Sequence, residues 1–273
     1  MFAIKTLKSL IKQWPSKGFM LLTGILALAL LAGGTFEFIP AWIFGNPPDA
    51  IHLWHIAELG ALSAIFLGGI MLALLRQPEE KPLLAQFFVL GGVILALGIA
   101  PFEIKGAAVL LVAALFALSY PNRRGLLSFS REGSISIALL ALSLLFAAFL
   151  LPVAWREIQW QIIGMAQNDV HAQLLHWIGS AELIILLILA GLLSSTKRPG
   201  WKELGVITGA AYCYLGIIAM TVPGDAGSWG YTGGLFSIIG GVLYMLFTLV
   251  EVQSARIAAE RITGKLIETL PVK

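Results

Sequence analysis

All four histidines of this chain fall in two short windows, His52 and His55 in one, His171 and His176 in the other. Each window also carries acids, Asp49 and Glu58 beside the first pair and Asp169 and Glu182 beside the second. Imidazole is the usual protein ligand for haem iron, copper and zinc, and a neighbouring carboxylate fixes the ring or takes up protons. On a helix the spacing of His52, His55 and Glu58 by three steps them about 4.5 Å apart along one broad face. Asp169 and His176, seven apart, are expected on one helical stripe that Ser180 extends, with His171 and Glu182 on another. His55 and His176 are the preferred ligands of a bound haem or transition metal (copper or zinc), with His52 and His171 as auxiliary ligands. Glu58, Glu182, Asp49 and Asp169 are expected to orient the rings or handle protons.

A plainer role is also open to these histidines. Imidazoles often serve as polar anchors at a membrane surface, and Trp42, Trp54, Trp155, Trp160, Trp177 and Trp229 spell out an aromatic belt at the same level. Four histidines gathered at one level with acids are harder to explain as anchors than any one of them alone. Other chemistries find little support. The chain has no phosphate-binding glycine loop, no dinucleotide fingerprint, no zinc-protease helix motif and no nucleophile elbow. The single cysteine, Cys213, rules out an intrachain disulfide and a multi-thiolate metal site. Ser180 sits too near His176 on one helix to argue for an intramembrane serine protease.

Composition fixes what must hold these residues. Of 273 residues, 58% are hydrophobic and 12% charged, against roughly 25% charged in an ordinary soluble domain. Such a chain cannot cover a water-facing surface, so lipid must solvate it. The fold class is an all-α integral membrane protein, because the apolar runs lack the alternation of barrel strands. Eight transmembrane spans are predicted near 18–37, 51–75, 84–100, 106–120, 135–153, 172–194, 204–222 and 231–251. Glu37, at the end of the first, and Glu103 and Glu157, between spans, read as loop charges. Asp225 reads as a turn residue in the last outer loop, where it could cap the histidine layer.

Basic residues orient the spans. Lys5, Lys8, Lys12, Lys17, Arg76, Lys81, Arg123, Arg124, Arg131, Lys197, Arg198, Lys202, Arg256, Arg261, Lys265 and Lys273 lie on alternate loops. Only Lys105 and Arg156 of the 18 lie on the others. Eight spans with both termini cytoplasmic account for this bias, and the net charge of +3 is therefore a topology signal rather than one for nucleic acid. The Lys-rich start followed by an apolar run resembles a signal peptide, but its later counterpart in the chain favours a retained first helix.

That counterpart is part of an internal duplication. Phe38-Ile39-Pro40-Ala41-Trp42 matches Leu151-Pro152-Val153-Ala154-Trp155, Asp49 and His52 match Asp169 and His171, and Arg76-Gln77-Pro78 matches Lys197-Arg198-Pro199. Two tandem four-helix units are expected, 1–127 and 128–273, related by an axis along the membrane normal. In that arrangement the histidines of both units share one level near the outer face.

The two-unit, eight-span plan with outer histidines is similar in outline to haem A synthase. The resemblance implies a haem ligated by histidines from the bundle. The fourth and eighth spans here lack the histidines that family places on them, so a cofactor would have to lie between the units, held by His55 and His176. The expected activity is membrane redox chemistry or cofactor handling in the bacterial inner membrane, with a redox protein or quinol as partner besides the lipid bilayer. The alternatives are a proton-coupled solute or ion transporter and a quinol-interacting anchor subunit.

Overall fold

The computed structural model describes residues 2–44, 52–128 and 134–268, with side chains over 17–36, 38–44, 52–128 and 134–254. Asp49, Arg131 and Lys273 lie outside the described residues. Eight main helices follow one another: α1 (Lys17–Phe44), α2 (Leu53–Leu74), α3 (Pro82–Ile99), α4 (Lys105–Ser119), α5 (Ile137–Gln167), α6 (His176–Ser195), α7 (Trp201–Thr221) and α8 (Gly230–Glu268). No strand occurs among the described residues. Seven helices, all but α4, are long and apolar enough to cross a bilayer, which makes the chain a multi-pass membrane protein. In hydrocarbon each backbone N–H and C=O needs an internal partner, and a helix supplies it within its own segment.

The helix ends follow local chemistry. The Ser136 hydroxyl accepts the Leu139 N–H at 3.2 Å at the start of α5, and Asn168 closes it in the left-handed region at φ 58°. Pro82 opens α3, where its missing N–H costs nothing. α5 passes through Pro152 and continues to Gln167, well beyond the predicted end at 153. The helix predicted over 172–194 is broken instead. Val170–Gln173 forms one short turn, Leu175 takes φ 60°, and α6 begins afresh at His176. Asp169, His171 and His176 therefore do not share one helix, and the stripes predicted for them do not exist.

The bundle reverses the solvation of a soluble protein. Trp54, Phe66, Phe87, Phe116, Phe146 and Tyr212 are buried, while Leu28, Phe36, Ile137 and Phe149 are more than half exposed, where lipid receives them. Small residues let helices approach closely. On α7 and α8 a side chain at Gly209 would stand 2.6 Å from the Gly241 carbonyl, and one at Gly216 2.5 Å from that of Gly234. α1 and α2 widen into π-helical turns over Gly33–Phe38 and Ala61–Gly68, where Gly34 packs directly on Ala64.

α3 and α4 form an antiparallel hairpin in which Gly92 packs on Ala113 and Gly106 on Ala100. The hairpin closes level with its start. The Tyr120 hydroxyl donates to the Pro78 carbonyl at 2.6 Å and the Asn122 amide to that of Glu79 at 3.0 Å. At this end the basic loops meet. Lys81 donates to the Ala73 carbonyl at the end of α2 (2.7 Å) and to the Arg76 carbonyl just past it (2.8 Å), and pairs with Glu203 at 3.5 Å. Leu83 N–H donates to Pro199 O at 3.1 Å, and buried Arg198 donates to Gln86 at 2.6 Å.

Candidate functional site

At the opposite end the starts of α2 and α6 meet the Val170–Gln173 turn, and the four imidazoles come together. Ring centres stand 4.7 Å apart for His52–His171, 5.1 Å for His52–His176, 5.5 Å for His55–His171, 4.7 Å for His55–His176 and 5.9 Å for His171–His176. His52 and His55 are buried and His171 and His176 half-buried. The rings face one another rather than lipid.

Carboxylates fix two of the rings. Glu58 Oε2 lies 3.1 Å from His55 Nδ1, one turn along α2. The Ser180 hydroxyl of α6 donates to the same Glu58 oxygen at 2.5 Å and stands 3.2 Å from His55 Nδ1. With Ser180 donating to the carboxylate, the network assigns the His55 proton to Nδ1 and leaves Nε2 as an acceptor. That Nε2 is buried and has no hydrogen-bond partner. Ser180 and Glu58 both engage the same ring nitrogen, so the three do not form a nucleophile–base–acid relay, which uses the two nitrogens separately.

In the other window Asp169 Oδ1 lies 3.6 Å from His171 Nδ1, and His171 Nε2 is likewise buried without a partner. Asp169 caps the short turn through the Ala172 N–H at 3.1 Å and accepts the Trp177 indole N–H at 2.9 Å. Slight burial works against the charge of Asp169. The Trp177 and Ala172 hydrogen bonds, with His171 close by, outweigh it and hold the carboxyl below the usual carboxylate range. His176 Nδ1 is a third buried ring nitrogen without a partner.

Surrounding residues close the layer. Trp177 stacks on His171 with ring centres 4.9 Å apart and stands edge-on to His55 at 5.1 Å. Trp54 is fully buried and packs on Trp229 at 5.5 Å. Trp54 and Trp177 thus wall the histidines instead of forming a lipid-facing belt, whereas Trp155 is 62% exposed. The α7–α8 loop lies over the cluster as a lid. Asp225 accepts the Trp54 N–H at 3.2 Å, and Gly227, at φ 83°, sits so close that a Cβ would meet His55 Cε1 at 3.1 Å and Trp177 at 3.4 Å. Beside the rings is a cavity of about 100 Å³, bordered by His55, Glu58, Leu62, His176 and Ser180.

Glu182 does not join the cluster. Its carboxyl fills the space left by the missing side chain of Gly98 on α3, buried, with Oε1 unpartnered. Glu157, expected in a loop, is a helical residue of α5 and only 1% exposed, within electrostatic reach of Glu58. Its Oε1 meets Arg156 at 3.4 Å and its Oε2 has no partner. Gln161, one turn on, is fully buried. It donates to the Ala172 carbonyl at 2.7 Å and accepts the Ile178 N–H at 3.2 Å, tying the broken segment to α5. A signal for both residues was present. Phe146, Leu150, Ala154, Glu157, Gln161 and Gly164 recur at helical spacing straight through the end of the apolar run.

Among the described residues no group of three or more histidine, cysteine, aspartate or glutamate side chains is arranged to hold a metal ion. What the geometry offers is four imidazoles whose measured ring centres lie within 6 Å of one another, two with a carboxylate facing Nδ1 and a buried Nε2 without a partner. Fold and site together define a helical multi-pass membrane protein with a walled histidine cluster at one end of its bundle. The chain matches no protein-family model, no curated protein and no solved structure.

Proposed function

We propose that the histidine cluster binds a single transition-metal ion, zinc or copper, and that the protein serves membrane redox chemistry or cofactor handling. The observation that carries this is the set of ring separations, 4.7 to 5.9 Å. A tetrahedral ion with metal–nitrogen bonds of about 2.1 Å keeps imidazole centres roughly 5 Å apart. The fit is supported by the bare Nε2 atoms of His55 and His171, each on a ring whose Nδ1 faces a carboxylate, the arrangement that orients ligating histidines. Closure onto an ion requires rotation of rings whose centres already have the spacing. His55, His176, His52 and His171 would hold the ion, with Glu58 and Asp169 orienting His55 and His171. An ion there supplies a Lewis acid or, for copper, a one-electron carrier.

An ion is preferred to haem on two grounds. The cavity of about 100 Å³ is well below the roughly 300–1,000 Å³ of sites for larger ligands. The His55 and His176 rings also stack 4.7 Å apart, where two axial imidazoles on one iron stand roughly 6 Å apart.

The same reading includes eight crossings. α4 is only 15 residues long, but it runs the length of α3 in reverse and ends level with the start of α3. If α3 crosses the bilayer, α4 crosses back. The basic loops then face the cytoplasm, with both termini, and the histidines face outward in a bacterial inner membrane. Two tandem units, 1–127 and 128–273, account for a cluster that takes two histidines from each.

The test is metal analysis of protein purified without added metal, then after loading with zinc or copper, combined with oxidised and reduced absorption spectra. One ion per chain, lost in His55→Ala and His176→Ala, is the expected result. A Soret band would replace the ion with haem, and no metal and no chromophore would end the reading. A second reading, proton-coupled ion or solute transport, rests on Glu182, a buried carboxyl without a partner between α3 and α6. In that case Glu182→Gln abolishes proton-driven uptake in vesicles while leaving metal content untouched.

A further inference from the structure

On the lipid side of α5 and α8, next to the histidine layer, a second cavity of about 490 Å³ opens between the two helices. It is a slot with two distinct ends. Along α5 its wall runs from Phe146 to Arg156, ten residues or about 15 Å. Phe146, Phe149 and Phe236 line its deep part, where Phe236 packs against the other two rings at 4.9 and 5.0 Å. Gly233 on α8 leaves the wall without a side chain. At the histidine end stand the Arg156 guanidinium and the Ser228 hydroxyl.

Arg156 is built into this mouth. It lies over the Trp160 ring at 4.6 Å and is half-exposed, with Glu157 at 3.4 Å. A guanidinium has five N–H donors in a planar fork that matches two anions as readily as one. The Glu157 contact is long and engages one nitrogen, and the side chain is 48% exposed where it lines the cavity. A cationic head site above a 15 Å aromatic slot complements an amphiphile with one apolar chain and an anionic head.

We propose that this slot seats one anionic phospholipid, one of its two acyl chains along Phe146, Phe149 and Phe236 and its phosphate on Arg156 and Ser228. The site is independent of any metal at the histidines, and its occupant comes from the bilayer itself.

The experiment places the purified protein in vesicles of equimolar phosphatidylglycerol and phosphatidylcholine, extracts it gently, and identifies retained lipid by native mass spectrometry. Wild-type protein retains one phosphatidylglycerol in preference to phosphatidylcholine. Arg156→Gln lowers that preference about tenfold, the value of one charge-assisted hydrogen bond. Val153→Phe, which fills the slot from α5 and keeps the guanidinium, abolishes retention. Unaltered circular dichroism establishes that both variants are folded. Equal retention of the two lipids, or a preference that survives Arg156→Gln, overturns the proposal. Recovery of a neutral isoprenoid quinone in place of the phospholipid overturns it as well.

Discussion

His55 of α2 and His176 of α6 stack face to face, with ring centres 4.7 Å apart and planes 28° from parallel. Two imidazoles that close, with their neighbours His52 and His171 within 6 Å, act as one unit. Removing either should therefore cost nearly as much as removing both. His55→Ala and His176→Ala are each expected to weaken zinc or copper binding about a hundredfold or more, and the double variant little further. A double-mutant cycle by equilibrium dialysis measures this coupling. Additive losses would mean that the rings bind separately.

The carboxylates on Nδ1 should tune the site without forming it. Glu58→Gln and Asp169→Asn are expected to lower metal affinity roughly 10- to 100-fold while one ion still binds at excess metal. Asp169→Asn also disturbs the Trp177 indole hydrogen bond, so tryptophan emission should shift in that variant.

Gln161 is expected to act through the chain break. Gln161→Leu leaves the Ile178 N–H without its buried partner, a loss of about 1–3 kcal/mol, and leaves the Ala172 carbonyl with the Leu175 N–H alone. Thermal unfolding in detergent should show the drop. Metal affinity should fall too, because His171 rides on the segment that Gln161 holds.

The lid makes its own prediction. Gly227 combines a positive φ with a 3.1 Å approach to His55. Gly227→Val is strained in the backbone, by about 1–3 kcal/mol, and pushes the loop off the rings. The expected result is faster metal exchange in stopped-flow chelator assays with the histidines intact.

Topology can be read by labelling single cysteines in a Cys213→Ser background. Lys105, 79% exposed as a side chain, should label from outside as Lys105→Cys. Glu80→Cys, in the α2–α3 loop, should label only after the membrane is opened. The reverse pattern would overturn the assigned orientation and put the basic loops outside.

Much of the scaffold was legible because membrane insertion is decided segment by segment. Apolar runs marked seven helices long enough to cross and the shorter α4, and helical spacing put His55 and Glu58 one turn apart on α2, with His52 at its cap in non-helical backbone. Glu157 and Gln161 were missed because α5 runs past its apolar stretch, where burial comes from neighbouring helices and local hydropathy is silent. The stripes linking Asp169 to His176, and His171 to Glu182, failed for a related reason. The break at Leu175, φ 60°, carries no glycine or proline to announce it and is held by Gln161 from another helix.

By itself the sequence determined the solvent of this protein, the succession of its helices and the placing of all four histidines near the starts of two of them. Those are consequences of local hydrophobicity and charge. Tertiary structure alone decided that the four rings meet, that Ser180 of α6 shares Glu58 with His55, that Trp54 and Trp177 turn inward, and that Glu182 lies apart against Gly98. Each of these depends on how helices rotate and approach one another, which is set by side-chain packing between segments far apart in the chain.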